Sequence, residues 1–92
     1  MLQNKRVGFI GSGNMGEALV NGLLHGHLCR PEQIVCSDIR PEKLKVIRER
    51  YGVKGTSHNT EVVKQSDIIL LAVKPQIMKP VVEEITKYLD LS

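Results

Sequence analysis

Arg6-Val7-Gly8-Phe9-Ile10-Gly11-Ser12-Gly13-Asn14-Met15-Gly16 sets a short, mostly apolar run directly against a glycine-punctuated turn. A run of this kind ending at glycines reads as a strand followed by a tight turn. Met15, Ala18, Leu19 and Leu23 then recur at helical spacing, and Gly26 closes the helix. Six of the eight glycines fall within the first 26 residues, so close approach to the main chain matters most there.

Working outward, the same alternation continues. After Pro31, Ile34-Val35-Cys36-Ser37 reads as a second strand, and Pro41 suits the first position of a helix with Leu44, Ile47 and Tyr51 on its inner face and Gly52 at its end. Val53 begins a short third extended piece, and Asn59 suits the cap of a brief helix carrying Glu61 in its first turn and Val62-Val63 on its apolar side. Ile68-Ile69-Leu70-Leu71-Ala72-Val73 is apolar on both alternating faces, as a strand covered on both sides is. Pro75 marks a turn and Pro80 a helix start, with Val81, Val82, Ile85 and Leu89 at near-helical spacing. Strands alternating with helices imply parallel crossovers. The expected fold is therefore α/β, a Rossmann-like doubly wound parallel sheet cut short at about four strands where a complete one has about six. The expected domain is a single, partial NAD(P)-binding unit over residues 1–92.

The string Gly11-Ser12-Gly13-Asn14-Met15-Gly16 matches G-x-G-x-x-G, which by itself is a weak signal. Its context strengthens it: a strand precedes, a helix follows, and Asp38 lies 22 residues beyond Gly16 at the end of the second strand. Each glycine has a physical task. Gly11 permits the turn, Gly13 leaves room for a pyrophosphate, and Gly16 lets the helix lie close on the strand. The helix N-terminus offers free N–H groups and about half a positive charge to a diphosphate.

Asp38 and Arg40 argue in opposite directions about the nucleotide. A carboxylate there accepts from a ribose 2′-OH and repels a 2′-phosphate, favouring NAD, whereas Arg40 pairs with that phosphate, favouring NADP. Asp38 also serves as a turn former before Arg40-Pro41, and Arg40 as a solvated charge, so both readings stand.

The 92 residues carry a formal charge of +3 from 13 Lys+Arg and 10 Asp+Glu, too small an excess to indicate nucleic acid or an anionic membrane. Arg30, Arg40, Lys43, Lys45, Arg48, Arg50 and Lys54 form a basic stretch, but Glu32, Asp38, Glu42 and Glu49 interrupt it, and aromatic residues for base stacking are few. The longest uncharged apolar run, Ile68 to Val73, is far below the ~18 residues a membrane helix needs, and no signal-peptide pattern opens the chain. A cytoplasmic location is expected. Cys29 and Cys36 stand seven apart without metal-ligand spacing, and His25, His27 and His58 form no triad or ligand spacing, so no metal is assigned.

Beyond these signals, Val7 to Leu19, the Ser37-Asp38 strand end, Tyr51-Gly52-Val53 and above all Leu71-Ala72-Val73-Lys74-Pro75-Gln76 resemble the N-terminal domain of pyrroline-5-carboxylate reductase over nearly the whole chain. The Gly-Asn-Met loop is also similar to domains of coenzyme F420-dependent NADP oxidoreductases. The resemblance implies reduction of 1-pyrroline-5-carboxylate to proline, with hydride from NADPH or NADH. Carried over by position, it implies that Gly11, Ser12, Gly13, Asn14 and Met15 hold the pyrophosphate and that Asp38 lies where the family meets the adenosine 2′ position. Asn59 would touch the adenosine end, and Ala72, Val73, Lys74 and Pro75 would lie along the nicotinamide ribose. Many members carry a neutral group where Asp38 stands.

The residues leave room for plainer roles: Lys74-Pro75 is a common way to leave a strand, and an N-cap fully explains Asn59. The family's helical domain, which holds the substrate pocket and the dimer contacts, is expected to be absent, leaving the chain alone inactive. A homo-oligomer is expected for the intact enzyme, and self-association through an uncovered edge strand for the isolated chain. Three classes compete: part of an imine-reducing oxidoreductase, a non-catalytic dinucleotide-binding module, and a nucleic-acid binder.

Overall fold

The computed structural model describes residues 4–88. Its elements run β1 (Val7–Ile10), α1 (Asn14–His25), a 3-10 turn (Pro31–Gln33), β2 (Ile34–Ser37), α2 (Pro41–Tyr51), β3 (Lys54–Thr56), α3 (Asn59–Gln65), β4 (Ile68–Leu71) and α4 (Pro75–Thr86). Among the described residues the four strands form one parallel sheet in the order β3-β2-β1-β4. The strand order reverses at β1: the chain first builds outward through β2 and β3, then returns to the other side of β1 with β4. A doubly wound sheet opens its ligand crevice at this reversal, beyond the carboxyl ends of the strands.

The pleat divides the core in two. Val7 and Phe9 on β1, with Ile34 and Cys36 on β2, face α1 and α2 and pack with Val20, Ile47 and Val53. Ile10 and Val35 point to the other face, against Val62 and Val63 of α3 and Ile85 of α4. Phe9 is completely buried, and removing a side chain of that size from water contributes about 2–3 kcal/mol.

The structure corrects several sequence expectations. In α1 the buried positions are Gly16 and Val20, while Met15 and Leu19 are 61% and 42% exposed. The rotation of the helix is set by Gly16: a methyl there would stand 2.8 Å from the Gly11 carbonyl oxygen, so this face must turn inward. Positions 16, 20 and 23 then follow one helical stripe, and 15 and 19 fall beside it. The final helix starts at Pro75, not Pro80, which lies inside it. Pro75 takes the first helical position, where its missing N–H costs nothing. Pro80 removes one bond, to the carbonyl of Gln76, an exposed residue whose oxygen can turn to water. Asn59 is the first residue of α3, and His58 is its cap. Every residue of β4 is half-buried, because among the described residues it pairs with β1 alone. Leu89 lies outside the described residues.

Candidate functional site

At the carboxyl ends of β1, β2 and β4 the chain forms a cleft of about 680 Å³. Its rim is the loop Gly11–Gly13, held between two neighbours. The Gly11 N–H donates to the Ser37 carbonyl at the end of β2, and the Ala72 N–H, just past β4, donates to the Ile10 carbonyl, both at 2.8 Å. Gly11 has φ +97°, a conformation that L side chains rarely adopt, and a methyl on it would stand 2.6 Å from the Ala72 carbonyl oxygen. Two requirements therefore fix glycine at this position, one conformational and one steric.

Gly13 differs. It is the extended N-cap of α1, and the nearest atom to a methyl placed there is Arg40 Nη2 at 3.6 Å. That contact is ordinary van der Waals distance to the far end of a flexible side chain, and Gly13 lines the cleft. No side chain caps the first turn of α1, so its N–H groups are the orphan donors that make a helix start attractive to an anion.

Asp38, at the end of β2, is the most heavily bonded side chain in the site. Its Oδ2 accepts from the Ser12 N–H at 3.0 Å, the Ser12 hydroxyl at 3.1 Å and Arg40 Nη2 at 2.9 Å. Its Oδ1 accepts from the Arg40 backbone N–H and Nε, both at 2.9 Å. Burial alone pushes the carboxyl up, but the Arg40 guanidinium and backbone, together with Ser12, hold it well below the usual carboxylate range. At neutral pH Asp38 is a buried anion with its counter-ion attached.

Asn59 is also committed. It accepts a 2.6 Å bond from the fully buried Ser37 hydroxyl and donates at 2.8 Å to Glu84 on α4. Ala72, Val73, Lys74 and Pro75 line the opposite wall, with Lys74 as the extended cap of α4.

Of the residues singled out from sequence, Gly11, Gly13, Asn14, Met15, Asp38, Arg40, Asn59 and Ala72 to Pro75 all line this one cleft. Ser12 and Gly16 sit behind the rim and are buried. They shape the loop from beneath. The sequence reading missed Ile10, Ser37, Ile39, Lys43, Ile77 and Val81, which complete the lining. Ile39, 88% exposed, gave no legible signal, because a single exposed isoleucine is ordinary on a protein surface. Among the described residues no group of three His, Cys, Asp or Glu side chains is placed to hold a metal ion.

Residues 6–91 match the family described as NADP oxidoreductase, coenzyme F420-dependent. The chain belongs to this family. Within the F420-dependent NADP oxidoreductase family it is similar to the pyrroline-5-carboxylate reductase of Escherichia coli strain K12, with 40% identity over 94% of the chain and 32% of that protein. Two solved structures agree. A pyrroline-5-carboxylate reductase from Coxiella burnetii superimposes with TM-score 0.88 and 33% identity, over 96% of this chain and 32% of that one. The Plasmodium falciparum pyrroline carboxylate reductase with NADP bound superimposes with TM-score 0.78 and 30% identity, over 94% and 30%. The resemblance expected from Leu71 to Gln76 and the glycine loop is thus borne out, and the chain spans about a third of the length of the relatives it matches. No helix among the described residues is long and apolar enough to cross a membrane.

Proposed function

We propose that this cleft binds a nicotinamide dinucleotide, NADP or NAD, and that residues 1–92 form the partial dinucleotide-binding domain of an enzyme reducing 1-pyrroline-5-carboxylate to L-proline. One observation carries the reading: the uncapped start of α1 has no Cβ at Gly13, where the tip of the Arg40 side chain is, among the described residues, the one non-neighbouring group within 4 Å, in a cleft whose far wall is the Ala72–Pro75 segment. A diphosphate fits that rim because the donors are backbone N–H groups and no Cβ stands before them. When bound, the nicotinamide supplies the hydride. The chain's own contribution is to orient the dinucleotide: Gly11–Met15 grip the diphosphate, Asp38, Arg40 and Asn59 shape the adenosine end, and Ala72–Pro75 flank the nicotinamide ribose. Pro75 keeps Lys74 extended, which fixes the wall at that end. No residue is assigned to proton transfer.

The names of the similar proteins support the imine as substrate; a cytoplasmic, homo-oligomeric enzyme without nucleic-acid or membrane partners is part of the same proposal. The family description favours a second reading, in which the hydride partner is reduced coenzyme F420. It uses the same dinucleotide cleft, and turnover of the imine against turnover of F420 by the intact enzyme separates the two.

The test is direct titration of NADH and NADPH into the chain by nicotinamide fluorescence. The expected result is saturable binding that Gly13→Val weakens by at least about tenfold, since the valine displaces the phosphate from its donors. Binding unaffected by Gly13→Val would remove the diphosphate from this loop.

A further inference from the structure

We infer that Arg50 and Tyr51, at the far end of α2, are positioning residues for nucleotide binding: they hold the Glu17 carboxylate back from the start of α1, which keeps that helix end free for a diphosphate. The inference rests on the dinucleotide reading above and adds residues outside the cleft that act on it through charge.

Glu17 is the acid in the first turn of α1. It lies four residues after Gly13, and its N–H donates to the Gly13 carbonyl at 2.8 Å. It therefore stands one turn above the glycine on the same stripe of the helix, about 6 Å along the axis. A helical side chain leans toward the N-terminus and covers the turn before its own Cα. For Glu17 that turn is Gly13, which has no side chain of its own. A carboxylate left to lean that way would lie over the helix start and draw on the same half positive charge as a bound phosphate.

The structure sends it the other way. Glu17 Oε2 accepts from Arg50 Nη1 at 2.6 Å and from the Tyr51 hydroxyl at 3.1 Å. With parallel strands and helical crossovers, α1 and α2 both start at the carboxyl edge of the sheet and run back toward the opposite edge. Arg50 and Tyr51 are the last two residues of α2, so the contact draws the carboxylate along α1 and away from Gly13. The two partners divide the work. Tyr51 packs against the core cluster that holds Val20 and Ile47, which makes its hydroxyl a fixed anchor. Arg50, with its side chain 59% exposed, supplies the charge that cancels Glu17. None of the three residues lines the cleft.

The size of the effect follows from Coulomb's law. One uncancelled negative charge about 6 Å from a group carrying two changes affinity by about tenfold in a water-like dielectric, and salt reduces this.

Titration of NADH and NADPH into the 92-residue chain at low ionic strength tests the inference. Arg50→Met is expected to weaken both dinucleotides by about three- to tenfold, and by the same factor, because the diphosphate is common to them. The loss is expected to shrink by at least about half when about 0.5 M salt is added. Glu17→Gln/Arg50→Met is expected to return affinity to within about twofold of the wild type. A mere brace between α1 and α2 behaves otherwise, since the double variant lacks the brace as completely as Arg50→Met does. Unchanged affinity in Arg50→Met, or a loss that persists in the double variant, overturns the inference. Should Arg50→Met fail to fold, Tyr51→Phe, which keeps the ring in the core, makes the same comparison with Glu17→Gln/Tyr51→Phe, with a smaller loss expected and the same two overturning results. If neither dinucleotide binds the wild type, the dinucleotide reading fails and this inference with it; binding that ignores Glu17 and its partners sinks the inference alone.

Discussion

Ser12 places both its backbone N–H and its hydroxyl on the same oxygen of Asp38, at 3.0 and 3.1 Å. The glycine loop is thereby tied to the end of the neighbouring strand by a carboxylate that must be ionised to accept from all its donors. This relationship joins the shape of the loop to a titratable group.

Asp38→Asn is expected to lose about 1–3 kcal/mol at pH 7, the cost of removing charge-assisted bonds from a buried acceptor. The sign with pH follows from a folded pKa below the unfolded one. The stabilisation is complete above the unfolded value of about 4 and fades as pH falls through the lower folded value. Urea unfolding at pH 7 and at acidic pH checks this: the gap between wild type and variant is expected to be constant above about pH 5 and to narrow below it. A gap independent of pH down to strong acid would contradict it.

Two glycine-to-alanine changes are expected to move stability in opposite directions. A methyl on Gly8 would run into Ser66 Oγ and Val62 Cγ1, where α3 lies against β1. Gly8→Ala is expected to cost about 1–3 kcal/mol by overpacking. Gly22 is exposed inside α1 with nothing within 4 Å of such a methyl. Gly22→Ala is expected to add about 0.5–1 kcal/mol through helix propensity alone. Thermal denaturation of the two variants reads both signs.

Asn59 spans two elements, accepting from Ser37 and donating to Glu84. Asn59→Asp keeps the acceptor for Ser37 but sets a second carboxylate against Glu84. The expected loss is roughly 1–2 kcal/mol, recovered when Glu84→Gln is added to the same chain. A double-mutant cycle measures the coupling, and additive effects would show that the contact has no energetic role.

Cys36 is fully buried on β2, and burial pushes its thiol up to about 12. Since the thiolate is the reactive form, Cys36 is expected to resist a disulfide reagent in native buffer and to react in denaturant. The native reaction rate is then a measure of opening. Rapid native labelling of Cys36, located by peptide mass, would place that strand elsewhere.

Much of the fold was legible because its signals are local. Glycines at 11, 13 and 16, Pro41 at a helix start, Gly52 at a helix end and the apolar run after Asp67 act within a few residues of themselves, and each falls where the sequence put it, save that the last strand stops at Leu71 and leaves Ala72 and Val73 to the cleft wall. The site residues were legible for a related reason: in a parallel sheet the carboxyl ends of the strands share one edge, so residues just after β1, β2 and β4 meet there whatever the side-chain details.

Tertiary structure alone decided the rest. Helical spacing placed Met15 and Leu19 inward, but the contact between Gly16 and the Gly11 carbonyl turned the helix until they faced out. Capping propensity assigned Asn59 to the end of α3, but the buried Ser37 hydroxyl and Glu84 engaged it instead. The sequence set Asp38 and Arg40 against each other as rival readers of the nucleotide. Only in three dimensions does the acid close onto the guanidinium and onto Ser12, 26 residues away. Propensity and periodicity are properties of neighbours along the chain, whereas which partner satisfies a polar group is settled by atoms that folding brings from far apart.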